Sequence, residues 1–405
     1  MSAIGVVVPY FEDERRLSWV LLALATQTCV MADLHVVVAD DGSAHAPALP
    51  ELPYRIDLVR QEDLGFRAAA ARNLGAAHVD GDLVVFLDGD TIPSPDYLTA
   101  MATAYEQVGP GFLGVGRRLH ADFEGCSAAQ VSTWVREGPP AARVLPAPWW
   151  LADGYRRTDD LREAGDEDFR LVISAVLALD RELLARSGGF DESMTGYGGE
   201  DWELAWRCRL LGARMRYVPA ALAWHDGPEA VARTGDRSAS RAVKDAESLA
   251  LAERITLPSV RGRGLIWELP DIVVRVHGQH NDAQVFATAL ALLRRSDVGV
   301  WWVDHAAVPA ALTADPRVHV GSPPSRVSGR GRYQVDVWAP LQLSCPLIDA
   351  CAAGEIHVAG ILQIRSTRQL ALGLPAPAPT PAPGWVHELP DEGLEQMMGK
   401  AARDG

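Results

Sequence analysis

The segment "GDLVVFLDGD" (Gly81–Asp90) decides how this chain folds. An unbroken apolar run between turn residues, rich in valine, has the length and composition of a strand buried on both faces. It stops at Asp88-Gly89-Asp90. Taken alone, an Asp-x-Asp of this kind is commonly just a turn. Its neighbours change that reading. "IGVVVPY" (4–10), "LHVVVADDGS" (34–43) and "YRIDLVR" (54–60) are further strand-like runs, and "RRLSWVLLALATQT" (15–28) and "RAAAARNLGAAH" (67–78) between them have helical length and spacing. Strands that alternate with helices predict a parallel sheet covered on both faces. Such sheets receive ligands at the carboxyl ends of their strands. Those ends carry Pro9-Tyr10, Asp40-Asp41 and Asp88-Gly89-Asp90, so polar chemistry gathers on one edge.

The residue types there suit a phosphate-bearing ligand and a hard cation. Asp88 and Asp90 offer oxygen donors of the kind Mg2+ and Mn2+ take, with a glycine between them that lets a ligand approach the backbone. His225, closing "RMRYVPAALAWHD" (214–226), is a candidate third metal ligand, although a histidine after an apolar strand is often only a polar terminus. Asp41 is placed to accept from a base or a ribose hydroxyl. Arg67 and Arg72, in "GFRAAAARNLG" (65–75), stand near the same edge, where an arginine offsets phosphate charge or stacks on a base.

A second acidic cluster lies in "GGEDWELAWR" (198–207). Trp202, Ala205, Trp206 and Leu210 follow one helical face, which puts Glu200 and Asp201 in the first turn. A helix N-terminus favours an ionised carboxylate, so a lowered pKa is expected for Asp201. An ionised carboxylate at a pocket rim can take a proton from an attacking hydroxyl. Plain helix capping explains the same acids and stays open. Trp202 is carried as a contact for that hydroxyl-bearing ligand, though its spacing from Trp206 also suits a core position.

Together these residues resemble the family 2 glycosyltransferases of GT-A fold. The resemblance spans roughly residues 3–226 and rests on "VVVPYF", "DDGS", "GFRAAAARNLG", "VVFLDGD" and "SGGFDESMTGYGGEDWELAWRCRLLG". The last of these is similar to the catalytic segment shared by galactosyl- and N-acetylgalactosaminyltransferases. The resemblance implies a Rossmann-like α/β domain, mostly parallel, with helices on both faces. It implies an inverting, metal-dependent transfer from a nucleotide sugar, most often a UDP-sugar, to a hydroxyl of a glycan, glycoconjugate or small molecule. By position, Pro9, Tyr10, Phe11, Asp41, Arg67 and Asp88 would meet the nucleotide. Asp88, Asp90 and His225 would hold Mn2+ or Mg2+. Asp201 would be the general base and Glu200 the clamp on the acceptor. Ser174-Ala175 stands where relatives often have Gly-Asn beside the donor sugar, which leaves the sugar undetermined. A nucleotidyltransferase and a non-catalytic two-lobed binding protein remain as alternatives. The first would want a glycine- and base-rich phosphate loop, which the acidic "PYFEDERR" lacks.

At 405 residues the chain is long enough for two domains, and a net charge of −15 speaks against a nucleic-acid partner. Five cysteines without metal spacing fit reduced thiols in a cytosol, and no apolar run is long enough to span a membrane. A cytoplasmic protein is expected, with homo-oligomerisation open. The expected boundaries are a catalytic domain over 1–228, a helical linker over 229–268, a second, smaller α/β domain over 269–372, and a Pro-rich linker and tail over 373–405. Residues 271–308 repeat the strand-helix-strand order of 4–43. "PRVHVG" (316–321) stands where "YRIDLV" stood, and "AAGEIHVAGILQI" (352–364) where "VDGDLVVFLDGD" stood. A degenerate, non-catalytic repeat of the first domain follows from that echo, with an unrelated α/β domain as the alternative.

Overall fold

Ile4–Tyr10 (β1) runs between Leu34–Asp40 (β2) and Leu83–Leu87 (β4), parallel to both, with Ile4 opposite Leu34 on one side and Leu83 on the other. Val6, Val7 and Val8 are wholly buried, which accounts for an uninterrupted apolar run where a one-sided sheet would alternate. The computed structural model describes residues 3–29, 31–196, 198–228 and 237–389. The chain divides into two compact units, residues 1–209 with 213–250, and 210–212 with 251–405.

In the first unit the strand order is β3-β2-β1-β4-β8-β6-β9-β5, with β7 (Val144–Leu145) attached to β6. Arg55–Arg60 (β3) completes the parallel half. Past β4 the direction reverses: Val176–Asp180 (β8) is antiparallel to both β4 and Phe112–Ala121 (β6). Arg214–Asp226 (β9) is parallel to β6, and Thr91–Pro93 (β5) closes the edge antiparallel to β9. The parallel half is as expected. The reversal gives no signal in sequence, because "VLALD" is as apolar as any parallel strand.

Helices Glu14–Leu24 (α1) and Ala68–His78 (α2) cross between these strands. A Cβ at Gly75 would stand 2.4 Å from a Val7 methyl and 3.3 Å from the Ala39 Cβ, so glycine lets α2 lie directly on β1 and β2. That close seat fixes where Arg72, one turn earlier, enters the sheet edge. Tyr97–Val108 (α3), Ala128–Glu137 (α4), Trp149–Arg157 (α5), Arg181–Ser187 (α6), Glu200–Leu210 (α7) and Arg237–Arg254 (α8) follow. The stretch expected as a helical linker from 229 carries a long helix from Arg237 on, most of which groups with the first unit, and residues 229–236 lie outside the described residues.

The second unit has its own sheet, ordered β12-β11-β10-β13-β16-β15. Ile272–Val276 (β10), Val298–Trp302 (β11), Val318–Val320 (β12) and Tyr333–Val337 (β13) are parallel, and Leu362–Ser366 (β16) is antiparallel to β13. This is the order and direction of β3-β2-β1-β4-β8, so the echo is one of topology. One placement is corrected. The β4 position belongs to β13, "YQVDV", not to 352–364, which forms Ile356–Val358 (β15) and the start of β16 in an antiparallel pair. β13 alternates polar and apolar residues and is short, so it escaped a search for apolar runs. The Pro-rich tail is corrected too: Val386–Glu388 (β17) pairs with Leu341–Leu343 (β14), and Val386 is buried in the core of this unit. No helix among the described residues is long and apolar enough to cross a membrane.

Candidate active site

The carboxyl edge of the parallel strands is held together by carboxylates that differ sharply in role. Asp40 is fully buried and spends its oxygens on Ser43 N–H (2.9 Å), Ser43 Oγ and Arg60 Nε (2.6 Å). It shapes the turn. Asp41 ties three elements: its N–H donates to Tyr10 O at 2.9 Å, and its side chain accepts from Arg67 N–H at 2.8 Å and from Gln61. Arg67 Nε lies 3.9 Å from the same carboxylate. Tyr10 is buried behind this cluster, while Phe11 is 53% exposed at the mouth. Tyr10, Asp41 and Arg67 are thus linked at this edge.

Arg72 is the residue whose role was missed. Its guanidinium is buried, donates to Asp88 Oδ1 at 2.8 Å and to Glu200 Oε1 at 2.9 Å, and rests against the Phe190 ring. Burial works against its charge, but Asp88 and Glu200 outweigh burial, so its pKa is raised. The Ala-rich helix gave no hint that this arginine turns inward; only the close seat of α2 makes it so. Because Asp88 is committed to Arg72, the expected trio of Asp88, Asp90 and His225 does not converge. Among the described residues no three His, Cys, Asp or Glu side chains form a metal-holding group.

Asp90 and His225 do meet. His225 Nε2 lies 3.3 Å from Asp90 Oδ2, and its Nδ1 lies 3.1 Å from Gly227 O. A carbonyl only accepts, so Nδ1 carries a hydrogen and Nε2 is the nitrogen turned to the carboxylate. Imidazole nitrogen and carboxylate oxygen are both groups that ligate divalent cations. Two ligands at right angles around Mg2+ or Mn2+ stand about 3 Å apart, so the pair fits two positions of a site whose other positions go to water and phosphate oxygens. His120, opposite His225 in the sheet and 4.8 Å from it ring to ring, bonds the same Gly227 carbonyl. Cross-strand register placed it there, and no sequence motif announces it.

Asp201 sits in the first turn of α7, half-buried, accepting from Trp202 N–H at 2.8 Å and Ser174 N–H at 3.4 Å. Burial and then the charge of Glu200 push its pKa up to about 7, against the pull of Arg72 and the two backbone donors. The expectation of a lowered value is corrected: desolvation beside a second acid outweighs the helix terminus. A carboxyl poised near neutrality is better matched to taking and releasing a proton. Trp202 is half-buried, edge-on to Phe169 at 6.2 Å, with Lys244 Nζ 5.2 Å over its face, whereas Trp206 is core.

The first unit is thus an α/β sheet with acids and arginines gathered at one strand edge and an acid pair, Glu200 and Asp201, joined to that edge through Arg72. Residues 2–242 match the model described as "Glycosyltransferase like family 2", and the chain belongs to that family. It is 33% identical over 230 residues to a validoxylamine A glucosyltransferase of Streptomyces hygroscopicus subsp. jinggangensis, covering 52% of this chain and 52% of that one. It is 27% identical to a chondroitin synthase of Escherichia coli, over 60% of this chain and 37% of the synthase. The chain therefore spans about half the length, or less, of these relatives. A mannosyltransferase from Pyrobaculum calidifontis in complex with GDP-Man and Mn2+ aligns with TM-score 0.40 and 19% identity, over 62% of this chain and 64% of that one. Membership of this family weighs against the nucleotidyltransferase and passive binding-protein alternatives.

Proposed function

We propose that this chain is an inverting glycosyltransferase that moves a sugar from a nucleoside diphosphate sugar, UDP foremost, to a hydroxyl acceptor with the help of Mn2+ or Mg2+. The observation that carries the reading is the placement of Asp201: an acid at the start of α7, beside Glu200 and held by the Ser174 and Trp202 N–H groups. Asp201 takes the proton of the acceptor hydroxyl while that oxygen bonds the anomeric carbon from the face opposite the leaving diphosphate. One bond forms, the bond to the diphosphate oxygen breaks, and the configuration inverts. Glu200, anchored by Arg72, orients the acceptor hydroxyl, and Trp202 flanks it. Asp88 accepts from the ribose, while Pro9, Tyr10, Phe11, Asp41 and Arg67 receive the base. Asp90 and His225 would hold the cation, which supplies charge neutralisation for the departing diphosphate. The five free cysteines suit a reducing cytoplasm.

Nucleoside diphosphate release from a panel of nucleotide sugars, with Mn2+ and then with EDTA, tests this. Release that needs the cation and prefers uridine donors is expected. Failure of every nucleotide sugar in the presence of Mn2+ refutes it.

A further inference from the structure

A cavity of about 500 Å3 is lined by residues of β6, α5, β9 and the segment before β8, among them Arg117, Arg118, Tyr155, Ile173 and Tyr217. Ile173 directly precedes Ser174, whose N–H bonds Asp201, and the charge of Asp201 acts on Tyr155 in the cavity wall, which puts this space within electrostatic reach of the acid. A β-bulge shapes it: pairing between β6 and β9 slips between Gly116 and Arg117. Only glycine fits at the slip, since a Cβ at Gly116 would stand 2.9 Å from both the Ala221 carbonyl oxygen and the Tyr97 ring. Bulges re-aim side chains and gather beside active sites. Here the re-aimed side chain is a cation.

The charges around the cavity are unequal. Arg156 pairs with Asp153, and Asp159 and Asp160 both face Arg162. Arg117 is exposed and enters no ion pair among the described residues. Beside it Tyr155 and Tyr217 stack flat, with centroids 3.8 Å apart and planes 6° apart, giving the cavity a rigid aromatic wall. An unmatched guanidinium presents a planar fork that fits carboxylate or phosphate oxygens. In a chain of net charge −15, an anionic ligand gains little from the general field and needs such a local partner.

We propose that the acceptor carries an oxyanion, a carboxylate or a phosphate on the molecule whose hydroxyl is glycosylated, and that Arg117 receives it. This rests on the transfer reading above and adds the chemistry of the acceptor to it.

Isothermal titration of the full chain with methyl glucoside, methyl glucuronide and glucose 6-phosphate separates a neutral, a carboxylate and a phosphate probe. At least one charged probe should bind about tenfold more tightly than methyl glucoside, the tighter of the two naming the oxyanion. R117Q should erase that advantage and R117K retain much of it, with unchanged melting showing both variants folded. Equal binding of all three probes, binding by none, or a preference untouched by R117Q overturns the proposal. Nucleoside diphosphate release from nucleotide sugars, followed in parallel, reports on the transfer reading separately. Release without an anion preference removes only the oxyanion site. An Arg117-dependent preference without release from any donor removes the transfer reading, and with it the name acceptor for this ligand.

Discussion

Asp201→Asn should make the protein more stable while abolishing transfer. In the folded chain the Asp201 carboxyl titrates at about 7 against an ordinary 3.8, first because it is buried and then because Glu200 is beside it. The folded state therefore keeps a proton that the unfolded chain has released. Through this group, stability is undiminished below about pH 4, falls as pH climbs toward 7, and is level beyond. A displacement of about 3 pH units corresponds to about 4 kcal/mol at full ionisation, which is an upper bound. Asparagine keeps one acceptor oxygen for the Ser174 and Trp202 N–H groups, and the imperfect replacement costs about 1 kcal/mol. The net gain at pH 8 is about 1–3 kcal/mol, a rise of several degrees in Tm that vanishes near pH 4. Transfer should fall about 10²–10⁴-fold, the usual contribution of a general base, with UDP affinity unchanged. Calorimetric melting of wild type and D201N across pH 4–8, beside initial rates, checks both halves. If D201N is no more stable at pH 8 than at pH 4 relative to wild type, the burial argument is wrong. If it still transfers sugar, Asp201 is not the base.

Arg72→Met should cost about 3 kcal/mol or more, because it strands Asp88 and Glu200 without their shared cation. It should also move the acidic limb of the rate profile up by about one pH unit, since Arg72 holds the Asp201 pKa down; a limb that stays put or moves down refutes the coupling. Asp90→Asn should weaken UDP binding about 10–100-fold with Mn2+ present and leave binding in EDTA unchanged, as titration calorimetry would show. An equal loss in both conditions would make Asp90 a direct nucleotide contact instead. Val386→Asp should destabilise the second unit by about 3 kcal/mol by driving an unpaired charge into its core. Faster amide hydrogen exchange at Leu341–Leu343 is the readout, and unaltered protection there would mean that β17 contributes little.

The parallel half of the first sheet was legible because its strands are buried on both faces and end in polar turn residues at regular intervals. β1 came out with its observed bounds, 4–10, and the strand before Asp88 was shorter than its turn-flanked quotation, 83–87. The reversal at β8 and the alternating β13 were illegible for opposite reasons, one strand too much like its neighbours and the other too little. Among site residues, Asp41, Arg67, Glu200 and Asp201 were readable as acids and a base at strand or helix ends. The inward turn of Arg72 depends on the clearance at Gly75, and the raised pKa of Asp201 on three-dimensional burial. Neither quantity is written in a local pattern. Two glycines act by what they lack: Gly75 lets α2 seat on the sheet, and Gly116 allows the slip before Arg117.

The fork of Arg72 also bears on how this site can change over time. One guanidinium serves a carboxylate after β4 and another at the start of α7, so neither acid can drift alone. Losing either leaves a buried positive charge half-matched, and a replacement arginine elsewhere would have to arrive in the same lineage. Asp88, Arg72 and Glu200 should thus be inherited as a block, varying together or not at all. Arg117, exposed and outside this block, is free to vary on its own.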